Sequence, residues 1–380
     1  MMKLIQQTLN FLIVIIAIQS VPTTWIIIQI TRVSPELRKE SFRLATMASI
    51  FLLLDLSLFT ALPFVGISYG SILLPLAGWF GLRYILYLTW VISWGTKNKK
   101  TKYNTITSQF FLALNVALVF LLVYSFYFEP LNLQVTEIYI HTQMDDLPGG
   151  QLRAVQVSDL HIARAGYLEE KVIEKVNSLD PDIIFLTGDY LNLSNREDSV
   201  SIRDTHEVLS QFHAPYGVYA INGSMYKPAR LATLFEGLDI TLLDDSVHEL
   251  SLGGSKISII GVSSSYQQSR DTNALRSIAY SLPPDPYTIL LYHSPDLIKT
   301  AVARNIDLYF AGHTHGGQIR LPFYGAIVTF SQFGKQYEHG LYREGDTTLY
   351  VSRGVGMEGS LAPRMRFLCS PEIVVINLIK

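Results

Sequence analysis

Six side chains of two kinds carry the chemistry in this sequence: Asp159, His161, Asp189, His293, His313 and His315. Each comes directly after an apolar run. The run RAVQV leads to Ser158-Asp159-Leu160-His161, IIFL to Thr187-Gly188-Asp189, TILLY to His293, and LYFA to Gly312-His313-Thr314-His315. Carboxylates mixed with imidazoles bind Mn, Fe or Zn without choosing among them. A lone Asp-x-His is usually accidental, and a lone buried histidine usually has an ordinary core role. The ordered series, with every member at the end of an apolar strand, is specific. Such residues converge at one edge of a sheet, where α/β proteins collect their ligands. Asp-x-His and His-x-His place two groups two residues apart, able to project the same way where the chain leaves a strand. Gly188 and Gly312 stand just before Asp189 and His313, where the backbone must pass close to something or turn left-handed.

The elements that position these residues alternate. Val172, Ile173, Val176 and Leu179 share one face of a helix within residues 168–180. Strands are expected within 153–161, 182–189, 218–221, 256–264, 287–294 and 306–315. Helices are expected near 201–213, 271–281 and 295–304. An opening strand falls within 131–142, and the tail carries strands without long helices at 318–322, 349–354 and 372–378. Alternation followed by hairpins points to a layered α/β core with mixed sheets.

The N-terminal third is of another kind. The whole chain is 49% hydrophobic and 16% charged, with a mean hydropathy of +0.25, and residues 1–128 hold few of the acids. A membrane span needs about 20 mostly apolar residues. Four stretches qualify: 11–30, 44–65, 72–94 and 110–128. Arg32, Arg38, Lys39 and Arg43 occupy the first link, Lys97, Lys99, Lys100 and Lys102 the third, and no Lys or Arg the second. The positive-inside rule then puts links one and three in the cytoplasm. Both the N-terminus and the C-terminal domain are expected outside a cytoplasmic membrane. The first span is long for a signal peptide and lacks a small-x-small exit, so it is expected to stay uncleaved. Asp55 and Arg83 fall near mid-span on neighbouring stretches and are expected to pair, since an intramembrane charge is costly alone.

A net charge of −2 gives no sign of nucleic-acid binding. One cysteine, Cys369, excludes an intrachain disulfide and a cysteine zinc site. There is no Gly-rich phosphate loop followed by Lys and no Gly-x-Ser-x-Gly elbow.

The motifs SDLH, TGD, YHS and GHTHGGQI resemble those of the calcineurin-like metallophosphoesterases, in the membrane-attached YkuE- and YaeI-type branch. The closing SRGVGMEGSLAPRMRFLCSPEIVVINL is also similar to the end of that group, and the resemblance covers about residues 131–380. It implies a four-layer α/β/β/α sandwich, here preceded by an all-α region of four transmembrane helices (residues 1–130). It also implies two divalent metal ions, with Asp159, His161 and His315 on the first, Asp189 bridging, and His293 and His313 on the second. Asp189, His293 and His313 would then be catalytic. A phosphoester, by preference a diester, would be hydrolysed by water activated between the two cations.

One motif departs from the family. The strand 218–221 should end in Gly-Asn-His-Asp or Gly-Asn-His-Glu, but here it ends in Gly223-Ser224-Met225-Tyr226. Ser224 replaces a metal-binding asparagine and is at best a weak second-metal ligand. Met225 replaces a histidine that contacts the phosphoryl group, and a thioether cannot donate a proton. A positioned general acid is worth about 10²–10⁴-fold in rate. Tyr226, His206 and His339 are candidate substitutes, and Arg353, Arg364 and Arg366 are candidate phosphate contacts or ordinary salt-bridge partners. The expected function is a metal-dependent phosphoesterase acting on a lipid-linked or cell-envelope substrate, with membrane lipids as partners. The alternative is a catalytically impaired relative serving as a membrane-tethered metal- and phosphate-binding module.

Overall fold

A computed structural model describes residues 37–61, most of 79–89, 101–144, 146–223, 228–265, 267–283, 286–358 and 364–380. The described chain falls into two units: one of helices within the first 124 residues, and one from residue 125 onward.

In the helical unit, α1 spans Leu37–Ala61 and α2 spans Thr101–Val123. Their polarity is inverted. Ile50, Leu53, Ile106, Phe110 and Phe120 face outward, while Asp55, Arg83 and Asn115 are buried. The expected pair is present. Arg83 Nη2 donates to Asp55 Oδ1 at 2.7 Å, and Arg83 Nε donates to Asp55 Oδ2. Trp79 Nε1 donates to the same carboxylate at 3.1 Å, and Arg83 Nη1 donates to Asn115 Oδ1 at 2.8 Å. The guanidinium also lies 5.0 Å from the centroid of the Phe51 ring. Three separate segments therefore meet at one charge pair.

Four spanning helices are not established. Among the described residues one helix, Gln109–Leu131, is long and apolar enough to cross a membrane. It contains the expected 110–128 span. The apolar part of α1 is short, Ser49–Leu58. The expected 11–30 span lies outside the described residues, and the 72–94 span is described only in part.

The second unit holds two six-stranded mixed sheets. The first runs β1 (Gln134–His141), β14 (Glu372–Ile379), β2 (Gln151–Val157), β3 (Ile183–Leu186), β4 (Val218–Ile221), β5 (Thr241–Leu243) in spatial order. The second runs β12 (Gly340–Glu344), β13 (Thr347–Val351), β9 (Leu308–Ala311), β8 (Tyr287–Leu291), β7 (Ser255–Gly261), β6 (Ser246–Leu252). Strands β2 to β5 are parallel, as are β7, β8, β9 and β13. Parallel strands buried on both faces read as unbroken apolar runs, as IIFL and YTILL do.

Side-chain alternation separates the layers. Ala154, Ile183 and Phe185 meet Ile289, Leu291 and Phe310 in a core between the sheets. Their neighbours Val155, Ile184 and Leu186 pack outward against α3 (Tyr167–Ser178), α4 (Ser199–Leu209) and α5 (Pro228–Phe235). On the far side Leu290, Tyr309 and Ala311 pack against α6 (Gln268–Tyr280) and α7 (Ile298–Ala303). The order is α/β/β/α. Each fully buried aliphatic or aromatic side chain contributes about 1.5–3 kcal/mol, so the three cores hold the strand ends fixed. The altered loop, including Ser224, Met225 and Tyr226, lies outside the described residues.

Candidate metal centre

The loops after β2 and β3 come from one sheet, and those after β8 and β9 from the other. Main-chain bonds lock them together. Asp159 N–H donates to Gly188 O at 3.1 Å, His161 N–H to Asp189 O at 2.9 Å, and Gly312 N–H to His293 O at 2.8 Å. Gln156 stitches the sheets, with Nε2 donating to Thr187 Oγ1 at 3.0 Å and to Ala311 O at 2.9 Å. The contacts are too close for side chains at two glycines. A Cβ on Gly312 would fall 2.0 Å from Ser158 Oγ, and one on Gly223 would fall 2.3 Å from Asp189 N. The end of β4, from which the altered loop departs, therefore abuts Asp189.

Five of the six chemistry-bearing residues have left-handed backbone: Asp159 (φ 52), His161 (φ 43), Asp189 (φ 52), His313 (φ 70) and His315 (φ 51). Such conformations cost of order 1–3 kcal/mol each and persist where surrounding structure over-determines them, most often at functional sites.

The side chains converge. His161 Nε2 and His315 Nε2 are 3.0 Å apart. With Zn–N bonds of about 2.0–2.1 Å, two nitrogens on one cation sit a little over 3 Å apart. Asp159 Oδ1 lies 3.5 Å from His315 Nε2, 3.9 Å from His293 Nε2 and 4.0 Å from His161 Nε2. Asp189 Oδ2 lies 3.2 Å from His293 Nε2 and 3.6 Å from His161 Nε2. Two groups result, Asp159 with His161 and His315, and Asp159 with Asp189 and His293. Both carboxylates face histidines of both groups, so Asp159 is placed for sharing as much as Asp189 is. His313 stands beside them. Its ring meets His293 edge-on at 5.0 Å between centroids, and its N–H donates to both Asp159 oxygens at 3.1 Å.

The donor set fits divalent cations. Among the described residues, buried His293 Nε2 makes no hydrogen bond and only faces Asp189 Oδ2 at 3.2 Å, while its Nδ1–H donates to Thr187 O at 2.8 Å, which leaves Nε2 as the nitrogen that can reach a metal. Burial alone would raise the Asp189 carboxyl, but the rings of His293, His161 and His313 hold it well below the usual carboxylate range. Burial pulls the His293 imidazole down, and the Asp189 and Asp159 carboxylates outweigh it, pushing it up to about 9. His313 and His315 are lowered by burial and by neighbouring histidines, His315 well below its ordinary value. The ligating state needs ionised carboxylates and neutral imidazoles, so His313 and His315 are ready for a cation, while His293 would give up a proton on binding one.

The other sequence candidates lie elsewhere. His206 Nε2 is 3.1 Å from Glu236 O on the helical face. His339 sits among Arg320, Arg353, Glu338 and Glu372. Arg366 is no phosphate contact: it is fully buried and donates to the carbonyls of Gly356, Cys369, Arg353 and Gly354. Arg353 is paired with Glu372 at 3.0 Å, and Arg364 Nη2 donates to His161 O at 3.2 Å. The tail arginines are thus structural, because buried guanidinium groups need acceptors. One carboxylate escaped the sequence reading. Glu358 Oε2 lies 3.5 Å from His161 Nδ1, on the far side of the ring from the other ligands. Gln318 holds Glu358 by a pair of bonds, Glu358 N–H to Gln318 Oε1 at 2.9 Å and Gln318 Nε2 to Glu358 O at 3.1 Å.

Residues 152–317 match the family described as calcineurin-like phosphoesterase. The metallophosphoesterase YkuE of Bacillus subtilis is 34% identical over 264 residues, covering 67% of this chain and 88% of YkuE. The chain belongs to the calcineurin-like phosphoesterase family. Divalent cations are that family's cofactor, and the two ligand groups fit a dinuclear site. A second relative, the metallophosphoesterase Cj0846 of Campylobacter jejuni, is 29% identical, and the match covers 60% of this chain and 59% of that protein. The UDP-2,3-diacylglucosamine pyrophosphatase LpxG of Chlamydia muridarum is 26% identical, with 60% of this chain and 83% of LpxG covered. Among solved structures, NAD nucleotidase of Haemophilus influenzae aligns over 54% of this chain and 51% of its own, with a TM-score of 0.41 and 17% identity.

Proposed function

We propose that this chain is a metal-dependent phosphoester hydrolase working at a membrane surface. The observation that carries the reading is the convergence of Asp159, His161, Asp189, His293 and His315 from four strand ends of two sheets. In this reading Asp159, His161 and His315 would hold one cation, His293 and His313 the other, and Asp189 would serve both. Bound cations would supply Lewis acidity and a nucleophile drawn from water. The protein's share is to keep the Asp189 carboxylate ionised, to present Nε2 of His293 by holding its Nδ1–H on Thr187 O, and to fix the strand ends rigidly.

The chain is read as a membrane region, 1–130, and a catalytic domain, 131–380. The outward apolar faces of α1 and α2, with Asp55 and Arg83 turned inward, support a multi-pass membrane region. The loop charges favour an extracytoplasmic catalytic domain. A lipid-linked phosphodiester suits that placement, and the relation to LpxG, named for a diacylated nucleotide sugar, supports an acylated substrate class.

Met225, where the family has histidine, favours a second reading: a binding module that has given up turnover. One assay separates the two. Full-length protein in detergent is tested for Mn-dependent hydrolysis of a nitrophenyl phosphodiester, whose leaving group needs little protonation. The hydrolase reading expects activity that Asp189→Ala abolishes, a loss of at least about 10³-fold if several kcal/mol of cation stabilisation disappear. Inactive native protein, rescued by Ser224→Asn with Met225→His, would favour the binding module.

A further inference from the structure

Six large apolar side chains stand in solvent just beyond the metal loop: Leu321, Phe323, Tyr324, Ile327, Val328 and Phe330. Phe323 is fully exposed, and the other five are between 46% and 61% exposed. They belong to the hairpin of β10 (Arg320–Leu321) and β11 (Gly325–Ala326) and the strap that follows it. A contiguous apolar patch of this kind marks an interaction surface. The backbone holds Phe323 at φ 64 and Phe330 at φ 57, left-handed conformations that bulky residues rarely adopt. These rings are held outward at a conformational cost instead of being tucked into a core.

The hairpin's base is fastened close to the end of the apolar helix. Ile319 bridges to Phe367, Arg320 N–H donates to Phe367 O at 3.0 Å, and Phe367 N–H donates to Gln318 O at 3.0 Å. The tail segment that holds Phe367, residues 366–370, also binds the end of the apolar helix Gln109–Leu131. Arg366 N–H donates to Ser125 O at 3.0 Å, and Ser370 Oγ donates to Glu129 Oε1 at 3.1 Å. Phe128 and Leu368, on the two sides of this junction, are also exposed. The apolar hairpin and the end of the helix are thus fastened to one short piece of chain. At the patch edge Lys335 Nζ lies 3.5 Å from the centroid of the Tyr324 ring and donates to Tyr324 O. An amphipathic ring beside a lysine suits the headgroup level of an anionic bilayer.

We propose that residues 320–330 form a second membrane contact, with the aromatic hairpin dipping into the headgroup–acyl boundary of the bilayer that the apolar helix enters. The contact holds the metal centre at the lipid surface. It rests on the membrane reading given above. Its energy comes from apolar area moved out of water, as in other interfacial anchors.

The test uses the full chain reconstituted in phosphatidylethanolamine–phosphatidylglycerol vesicles, with a nitroxide placed in turn at Phe323→Cys, Val328→Cys, Phe120→Cys and Tyr280→Cys. Cys369 is buried, and the unsubstituted chain serves as its control. Collisions with oxygen are compared with collisions with a water-soluble nickel chelate. The expected result is an oxygen-to-nickel ratio at Phe323 and Val328 severalfold above that at Tyr280 and approaching that at Phe120. A lipid-like Phe120 with a water-like Phe323 and Val328 would overturn the hairpin contact while leaving the membrane helix in place. A water-like Phe120 would overturn the membrane reading itself. Shielding of Phe323 from both reagents would mean that protein covers the patch, and would also overturn the proposal.

Discussion

Two of the buried polar clusters among the described residues are finished differently. In the helical unit, Asp55, Arg83, Trp79 and Asn115 close on one another: both carboxylate oxygens accept from Arg83, and the guanidinium also reaches the Asn115 side chain. In the sandwich, Asp159, Asp189 and the histidines converge without closing. Among the described residues His293 Nε2 and His315 Nδ1 are buried without a hydrogen bond, and five backbones sit in a costly conformation. Buried polar groups are normally satisfied. A closed cluster is therefore a clamp between helices. An open one, held by force of the surrounding core, is a place prepared for a ligand.

Breaking the closed cluster should have the largest effect on stability. Asp55→Ala leaves Arg83 buried and unpaired, and loss of one partner of a buried pair costs about 3–5 kcal/mol. Replacing both partners by leucine should recover most of that loss. Thermal denaturation of the full chain in detergent reads both variants, and equal destabilisation of the single and double variants would remove the clamp. Asp189→Ala, by contrast, should abolish hydrolysis with a smaller loss of stability, because the buried His293 ring keeps Asp159 as a second carboxylate neighbour at 3.9 Å.

A third buried acid sharpens the contrast. Glu169 accepts from Gly166 N–H at 3.0 Å at the start of α3, and burial pushes its carboxyl up to about 7 from an ordinary 4.5, with Arg364 opposing only in part. Between those values the folded state keeps a proton that the unfolded chain has released. Stability should fall as pH rises from about 4.5 to 7, by about 3 kcal/mol at most, and stay flat above. Glu169→Gln should lose that slope. Denaturant titrations at pH 5 and pH 8 measure it, and an unchanged slope in the variant would place the titration elsewhere.

The smallest expected effect concerns the outer edge of the open cluster. Glu358→Gln removes the charge 3.5 Å from His161 Nδ1. Outer partners of metal-bound histidines are typically worth about 10–100-fold in metal affinity. Calorimetric Mn titration should show a loss in that range, and an unaltered affinity would reduce Glu358 to a packing residue.

Much of this was legible along the chain. The strand-end residues stood out because each follows an apolar run, and Asp55 and Arg83 because charges are rare in apolar stretches. The layer order came from family resemblance, since alternation alone does not count sheets. The helix Pro228–Phe235 and the edge strand Ser246–Leu252 were missed, although Pro228 at a helix start and the half-exposed alternation of the strand are local signals. Glu358 and Gln318 gave none, because their roles depend on His161, far away in sequence. The hairpin misleads a reader of sequence alone, since RLPFYGAIVTF has the composition of a buried strand and only the fold turns it outward.

The central claim is that the open cluster is a two-cation site. The most direct test is the metal content of the full chain after stripping and titration with Mn, read by elemental analysis against protein concentration. Two equivalents bound to the native chain, with at least one lost in Asp189→Ala, is the predicted result. A chain that binds none, with its histidines satisfied by one another, would contradict it.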